Sequence, residues 1–231
     1  MADELSDVKP GDVTFLQKLK ESENSVVFKV AVHGKICVMK VYHTRCRTDC
    51  DPTDYEIDLF ICESTAYRRL KAKGLCKRGV IPDFYGTITN IQPNSWPDLH
   101  MFVGDKLPPN AVLIEYVANM QQISLDNFSE LRLEKLRRIL DEIHQAKVLH
   151  GDPKPRNMMV VSGEQEQDRV LWVDFDSAQT FPEEEPLSPK QELWFREEVE
   201  MIEYFNEALA QDFKEGKLDR AYSYYYEWYV K

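Results

Sequence analysis

The segment 149-LHGDPKPRNMMVV-161 separates two apolar patterns and decides how the rest of the chain is interpreted. It sets a His, an Asp, a Lys and an Asn between the end of a helical pattern and the start of a strand pattern. Pro153 and Pro155 exclude a continuing helix, because proline has no backbone N–H and restricts the residue before it. We therefore expect the polar side chains on a rigid loop, and such loops often carry binding and catalytic residues.

The composition narrows the classes of protein to consider. Of the 231 residues, 43% are hydrophobic and 30% are charged, which is typical of a globular protein of one large unit or two smaller ones. The 29 basic and 40 acidic residues give a net charge of −11, and a field of this sign repels the phosphates of nucleic acids. Direct nucleic-acid binding is therefore disfavoured.

The sequence also indicates a reducing compartment. No apolar run approaches the roughly 18 residues of a membrane span, and the acidic segment MADELSDVKPGD lacks the apolar core of a secretion signal. The five cysteines form no disulfide framework, so we expect a protein of the cytoplasm or nucleus with no membrane association. One interpretation of Cys46 and Cys50 with His43 is a part of a metal site, but no second ligand pair follows, which favours the alternative of a polar loop with reduced thiols.

The first half of the chain is predicted to consist mainly of strands. A turn is expected at His33-Gly34, and a helix over residues 55–73 that Gly74 terminates. The proline-rich residues 92–110 are predicted to be irregular. Alternating apolar residues predict five strands: residues 13–19, 26–33, 35–42, 84–91 and 111–117.

The second half is predicted to be mainly helical. Ser124 or Asp126 is available as the N-cap of its first helix. Short strands are expected over residues 158–161 and 169–173. Apolar residues at helical spacing predict three helices: residues 125–147, 191–213 and 218–229.

The order of these elements predicts an α+β fold with two unequal lobes. Residues 1–117 are expected to form an antiparallel sheet with one helix. Residues 118–231 are expected to form a helical lobe that carries the polar loop. The hinge between the lobes is predicted near residue 117.

Polar residues of the loop and of a second segment, 172-WVDFDSA-178, together suit phosphoryl transfer. Asp152 can accept or orient a hydroxyl proton, Asn157 offers an amide oxygen to a cation, and Lys154 can neutralise a phosphoryl group. Asp174 follows an apolar strand pattern, so its carboxylate is expected at the strand end, where it can bind a divalent metal. One carboxylate for the nucleophile, with one carboxylate and one amide for Mg²⁺, is the set that this reaction requires.

The loop resembles the catalytic loop of the protein-kinase-like superfamily. Residues 150-HGDPKPRN-157 are similar, position for position, to the kinase motif H-R-D-L-K-P-E-N, and 174-DFD-176 stands where kinases have D-F-G. The resemblance implies that Asp152 is the catalytic base and that Lys154 contacts the γ-phosphate. It also implies two ligands for Mg²⁺: Asn157 and Asp174.

Upstream segments resemble the kinase nucleotide site, in the same order along the chain. The strand 38-VMKVY-42 is similar to V-A-I-K, and the first residue of 63-ESTAYRRL-70 matches the glutamate that pairs with its lysine, although Glu56 and Asp58 are alternatives. The segment 114-IEYV-117 is similar to the hinge that receives adenine. The resemblance thus implies that five residues form the ATP site: Lys40, Glu63, Val30, Glu115 and Val117.

Three departures from the kinase pattern bear on activity. The segment 20-KESENSVVFKV-30 has no glycine, so Asn24 and Ser25 have to form the turn over the phosphates, and bulkier residues limit the approach of backbone amides. Asp176 replaces the glycine of D-F-G, which stiffens the backbone and offers a further metal carboxylate. Gly151 replaces the arginine that binds a phosphorylated loop, so switching by loop phosphorylation is not expected.

The short stretch after the DFD motif implies a truncated helical lobe without an A-P-E element. An H-G-D loop with such a lobe is similar to small atypical kinases: the RIO-type enzymes, the kinase of the KEOPS tRNA-modification complex and fungal relatives. The resemblance implies an ATP- and Mg²⁺-dependent kinase that phosphorylates a Ser/Thr hydroxyl of a protein, or an ATPase. The alternatives are a pseudokinase that binds nucleotide or acts as a scaffold, and a small-molecule kinase.

A protein substrate or protein partner is expected, with the chain acting as a monomer or in a hetero-complex. The Tyr-rich segment 222-YSYYYEWYVK-231 is a candidate docking element. Its alternative interpretation is a helix packed on the second lobe.

Overall fold

A five-stranded antiparallel sheet forms from the first half of the chain in the computed structural model, which describes residues 4, 5, 7–163 and 168–225. The strand order is β1-β2-β3-β5-β4. Together with the helices below, the sheet confirms the predicted α+β class. Its strands are β1 (Val13–Glu21), β2 (Ser25–Val32), β3 (Lys35–Tyr42), β4 (Phe84–Ile88) and β5 (Asn110–Glu115).

Two tight turns connect the first three strands. His33 and Gly34 have φ of 49° and 80°, so both adopt the left-handed conformation of the predicted hairpin turn. Between β1 and β2 the turn has no glycine and is held by a hydroxyl instead. Ser22 Oγ accepts hydrogen bonds from the backbone N–H groups of Asn24 (3.3 Å) and Ser25 (3.1 Å).

Helix α1 (Leu59–Ala72) lies between β3 and β4 along the chain, and it begins four residues later than predicted. Asp58 is its N-cap: one carboxylate oxygen accepts from the N–H groups of Phe60 (3.0 Å) and Ile61 (3.1 Å). Gly74, with φ of 85°, follows the C-cap residue and starts a separate short helix, α2 (Leu75–Arg78). The predicted end of the helix is therefore confirmed.

Two long helices dominate the second half: α3 (Glu130–Gln145) and α4 (Pro189–Glu215). The predicted start of α3 near residue 125 is wrong. Ser129 is its N-cap, whereas Ser124 caps a separate 3₁₀ turn over Leu125–Asn127. The last predicted helix is described only to residue 225, where Tyr222–Tyr225 form a 3₁₀ helix, and residues 226–229 lie outside the described part.

Small sheets frame the polar loop between α3 and α4. One has the order β6-β8-β9 and the other pairs β10 with β7. The sequence patterns predicted β8 and β9 but missed the other three, because two-residue strands show no alternation. Their bounds are β6 (Gln121–Gln122), β7 (Val148–Leu149), β8 (Met158–Val161), β9 (Arg169–Trp172) and β10 (Gln179–Thr180).

Both faces of the five-stranded sheet are covered. Strand alternation directs one set of side chains toward α1 and the second half, where they share a core with Tyr67, Leu136 and Trp172. The other set packs under the 92–110 segment, which contains two 3₁₀ helices, Pro93–Ser95 and Pro97–Phe102. Within the described residues, no helix is long and apolar enough to cross a membrane.

Candidate functional site

Lys40 lies at the centre of a cluster of three carboxylates. Strand β3 carries Lys40, α1 carries Glu63, and the turn after β9 carries Asp174 and Asp176. Lys40 Nζ contacts Asp174 Oδ1 and lies 2.8 Å from Asp176 Oδ2 and 3.2 Å from Glu63 Oε2. The structure thus brings together three residues that the sequence predicted to meet, and it adds Asp176.

Glu63 is the glutamate that pairs with Lys40, rather than the two alternatives. Glu56 Oε1 instead accepts from the N–H groups of Ile57 (2.8 Å) and Asp58, while Asp58 caps α1. Glu63 is 1% exposed, so it has little access to water. Glu63 lies on the inner face of α1, and this position explains why it, rather than Glu56 or Asp58, pairs with Lys40.

Burial and mutual attraction set the ionisation of this cluster. Burial lowers the pKa of Lys40, but the carboxylates of Asp174, Glu63 and Asp176 outweigh it and hold that pKa well above its usual value. Burial raises the pKa of Glu63 to about 7 despite the attraction of Lys40. Burial also favours a higher pKa for Asp174, but the attraction of Lys40 outweighs burial and lowers the pKa of Asp174 to about 2. Lys40 and Asp174 are therefore both charged at neutral pH.

The turn that presents Asp174 is strained and anchored. Asp174 has φ of 68°, a left-handed conformation that costs a non-glycine residue about 1 kcal/mol or more. The next residue fixes it in place: the N–H of Phe175 donates to Glu63 Oε1 (3.3 Å), and its ring packs against Tyr67 and His150. The Asp174 side chain is thereby held on the side of Lys40.

Asp152 is surrounded by the other polar side chains of its loop. Arg156 donates to both of its carboxylate oxygens (3.0 and 2.9 Å), and Lys154 Nζ lies 2.8 Å away. Asn157 Nδ2 donates to Asp152 Oδ2 (2.7 Å) and to its backbone carbonyl (2.9 Å). Because the amide nitrogen of Asn157 is used in this way, its oxygen is the atom that can face a cation. Arg156 was missed by the sequence interpretation.

Helix α4 supports this loop through Glu198, a residue that the sequence analysis did not identify. The carboxylate accepts from the backbone N–H groups of His150 (3.0 Å) and Gly151 (2.6 Å), and it lies 2.8 Å from His144 Nε2. Glu198 is only 6% exposed. The sequence does contain a signal for Glu198. It lies one helical turn from Trp194 and from Ile202, so it falls within an apolar stripe of the helix.

Glycine at position 151 is required by space as well as by conformation. Gly151 has φ of 82°, and a Cβ added there lies 2.0 Å from the carbonyl oxygen of Ser177. No side chain fits between the loop and the segment after Asp174. The close approach explains why glycine stands where the kinase motif has arginine.

A cavity of about 710 Å³, here called the central cavity, joins these groups. It lies between the sheet and the loop, and the turn between β1 and β2 covers one side with Ser22, Asn24 and Ser25. The predicted site residues that line it are Lys40, Glu63, Glu115, Val117, Asp152, Lys154, Asn157 and Asp174.

Val30, which the sequence predicted to be at the nucleotide site, does not line the central cavity. It is fully buried in the core under the 92–110 segment. Val27, which pairs with Lys40 in the strand register, lines the cavity together with Val38. Residues of odd separation on a strand point to opposite faces, and Val30 is three positions from Val27.

The segment predicted to be the hinge is tied to β9. Arg169 donates to both carboxylate oxygens of Glu115 (2.8 and 2.9 Å), and it also donates to the carbonyls of Gly79 and Ile81. The Arg169 hydrogen bonds hold the pKa of Glu115 below its usual value. The side chain of Glu115 therefore has a structural role, although the residue lines the central cavity.

The residues predicted to bind a cation, Asn157 and Asp174, both line the central cavity. Within residues 4, 5, 7–163 and 168–225, no group of three or more His, Cys, Asp or Glu side chains has the geometry to hold a metal ion. His43, which was considered with Cys46 and Cys50 as part of a metal site, has its Nδ1 atom 2.8 Å from Asp105 Oδ2. A cation at Asn157 and Asp174 therefore needs further ligands from a bound molecule and water, as Mg²⁺ commonly has in phosphate sites.

No protein-family model matches the chain, and no curated protein matches it significantly. The residues of the central cavity are therefore the basis for inferring a function.

Proposed function

We propose that the protein is an ATP- and Mg²⁺-dependent phosphotransferase with a two-lobed, kinase-like fold and a truncated helical lobe. Its acceptor is a Ser or Thr hydroxyl of a protein. One observation carries the proposal: Lys40, Glu63, Asp152, Asn157 and Asp174 come from distant parts of the chain and line one cavity of about 710 Å³. That volume lies within the range of small-molecule sites, roughly 300–1,000 Å³.

The residues divide the work of phosphoryl transfer among them. Lys40, oriented by Glu63, neutralises the α- and β-phosphates. Asp152 takes the proton of the acceptor hydroxyl. The acceptor oxygen forms a bond to the γ-phosphorus while the bond to the β,γ-bridging oxygen breaks, and ADP leaves with that electron pair. Lys154 neutralises charge on the transferred group.

The donor set fits magnesium. Asn157 and Asp174 supply an amide oxygen and an ionised carboxylate, and Mg²⁺ prefers one or two such protein ligands beside phosphate oxygens and water. When bound, the ion neutralises charge on the phosphates. Asp176, close to Lys40, is a further carboxylate at the same place.

The turn over the phosphates differs from a glycine-rich loop. Asn24 and Ser25 line the central cavity and bring an amide and a hydroxyl group there, whereas the hydroxyl of Ser22 donates to the carbonyl of Ser25 (3.2 Å). The bulk of these side chains supports weaker nucleotide binding than a glycine-rich loop provides.

A second candidate function is a nucleotide-binding scaffold without transfer. The observation in its favour is the engagement of Asp152 by Arg156 and Lys154, because these contacts occupy both carboxylate oxygens that would have to accept the hydroxyl proton. A hetero-complex with a protein partner suits this alternative as well. Either function is compatible with the cytoplasm or nucleus, where the five free thiols stay reduced.

Thermal unfolding with and without Mg·ATP tests both functions. We expect Mg·ATP to raise the Tm by several degrees, since a ligand that binds the folded state stabilises it by mass action. Asp174→Asn should lose the part of the shift that requires Mg²⁺. Asp152→Asn should keep the shift and lower phosphate transfer at least about 100-fold.

The outcomes separate the two functions clearly. A Tm shift without ADP release in the wild-type protein would support the scaffold and overturn the transferase. No shift at millimolar Mg·ATP, or unchanged turnover in Asp152→Asn, would contradict the assignment of this cavity. Circular dichroism of each variant controls for folding.

A further inference from the structure

A second cavity, here called the side cavity, adjoins the central cavity and has a volume of about 670 Å³. It includes Pro153, and both cavities include Gly151, so the side cavity reaches the two neighbours of Asp152 in the chain. A group seated there is close to the place where the proposed transfer occurs. The two cavities share five wall residues: Asn24, Leu59, Gly151, Asp176 and Ser177.

The wall of the side cavity is negatively charged. Its basic side chains are already engaged: Arg45 forms two hydrogen bonds to Asp51 (3.0 and 2.8 Å), and His43 lies 2.8 Å from Asp105. The carboxylates outnumber them, although Asp176 pairs with Lys40, Glu198 binds His144 and the loop backbone, and Asp58 caps α1. Glu197 is exposed to solvent, so it is the main charge that favours a cationic occupant. The acidic wall residues are Glu56, Asp58, Asp176, Glu197 and Glu198.

A buried hydroxyl without a partner is an independent sign of a ligand. Tyr42 lines the side cavity and is 1% exposed, and its hydroxyl has no hydrogen-bond partner among the described residues. Tyr42 lies two positions after Lys40 on β3, so both side chains are on the same face of the sheet. Because a buried polar group without a partner is costly, a ligand that bonds this hydroxyl gains affinity.

Part of the wall of the side cavity is aromatic and reaches the solvent. Tyr55 is 41% exposed, and its ring meets that of Trp194 edge to face at 6.3 Å. Glu197, one turn of α4 further, is exposed to solvent. Sites for free small molecules usually enclose most of the ligand. Exposed aromatic and acidic side chains on its wall suit a segment of polypeptide that extends beyond the cavity.

We propose that the side cavity is the acceptor site, and that its occupant is a segment of a partner protein with Lys or Arg next to the Ser or Thr that accepts phosphate. This inference rests on the proposed transferase function and uses the same bond changes. The basic side chain lies against the acidic wall, and Tyr42 donates a hydrogen bond to the segment. The hydroxyl of the acceptor then reaches Asp152.

Peptide phosphorylation tests the inference. Two peptides of the same length are compared, each with one Ser, with Arg on both sides in one and Glu in the other. We expect a higher kcat/KM for the basic peptide. Glu197→Lys should reduce the ratio of the two kcat/KM values about tenfold. The control is Glu200→Lys, an exposed residue of the same helix outside the wall, which should leave the ratio unchanged.

Tyr42→Phe removes only the unpartnered hydroxyl. We expect a higher KM for the basic peptide and no loss of thermal stability, because the folded protein makes no hydrogen bond with this group. A purely structural role of Tyr42 would instead lower the Tm and leave KM unchanged, which would overturn the inference.

The remaining outcomes separate this inference from the proposed function. If Mg·ATP raises the Tm and ADP is released, but the basic and acidic peptides react equally, the acceptor assignment alone is overturned. Faster phosphorylation of free choline or ethanolamine than of any peptide would also overturn it. If neither a Tm shift nor any transfer occurs, the proposed function itself fails.

Discussion

Lys40 balances three carboxylates in a place with little access to water. Its replacement by Met leaves Glu63, Asp174 and Asp176 close together without a cation. We expect Lys40→Met to lower the free energy of unfolding at pH 7 by about 3 kcal/mol, measured by urea denaturation. The loss should shrink at pH 4–5, roughly where carboxylates gain protons. Lys77→Met, at an exposed lysine, is the control, and an equal loss in both variants would contradict the prediction.

Glu63 makes stability depend on pH. Its pKa rises from 4.5 in the unfolded chain to about 7 in the folded protein, so the folded state holds a proton that the unfolded state releases between these values. The contribution to stability is complete below pH 4.5 and is lost as the pH rises to about 7. We therefore expect the free energy of unfolding of the wild-type protein to fall across this window relative to Glu63→Gln.

Comparing the wild-type protein with Glu63→Gln isolates the contribution of Glu63 to the pH dependence of stability. His150, whose pKa burial lowers, and Asp174 titrate in both proteins, so their effects largely cancel in the difference. Urea denaturation at several pH values between 5 and 7, roughly the upper part of the window above, should show a difference that changes by about 2 kcal/mol. Glu207→Gln, at an exposed position of α4, serves as the control. A difference in free energy of unfolding that stays constant with pH would contradict the prediction.

The loop at residues 150–157 is held by elements on both sides of it. Glu198 of α4 binds its backbone, and the carbonyl of Ser177 leaves no room at Gly151. We expect Gly151→Ala to lower the free energy of unfolding by about 3 kcal/mol and to reduce phosphate transfer, because the loop must move from α4. Chemical denaturation and an ADP-release assay measure the two effects.

Gly216→Ala is the matched control for the loop. Gly216 also has a positive φ, of 68°, but a Cβ added there meets no atom within 4 Å. Its replacement should therefore cost only the backbone strain, about 1 kcal/mol, with no change in activity. Equal losses in the two variants would show that conformation, rather than the approach of Ser177, accounts for the effect.

Element types were predictable because local patterns determine them. The apolar alternation of the first half predicts the sheet, and β3 and β8 have the predicted bounds. Helix starts were less predictable, since Asp58 and Ser129 cap α1 and α3 while other polar residues nearby were equally suitable caps. The choice depends on where each helix packs against the core.

Arg169 connects the sheet to the second half of the chain. It lies on β9 and binds Glu115 at the end of β5 and the carbonyls of Gly79 and Ile81. We expect Arg169→Met to lower the free energy of unfolding by about 2 kcal/mol, because the Glu115 carboxylate loses its partner in a half-buried place. Faster hydrogen exchange should follow in β4 and β5.

Arg196→Met is the control for this connection, since Arg196 is exposed on α4. Surface substitutions of this kind usually change stability by less than about 0.5 kcal/mol. Unchanged exchange in β4 and β5 of Arg169→Met would show that the two halves are held together by other contacts.

The sequence by itself determined the α+β class, the order of most elements and the polar loop with its candidate residues, because periodicity, capping groups and proline act between near neighbours in the chain. Only the tertiary structure decided that Glu63 meets Lys40, that Val27 rather than Val30 faces the central cavity, and that Glu198 holds the loop. Such contacts join residues far apart in the chain: Glu198 lies 48 positions from His150, and Lys40 lies 134 positions from Asp174, which it also contacts. The packing of whole elements sets such distances, and no local pattern records them.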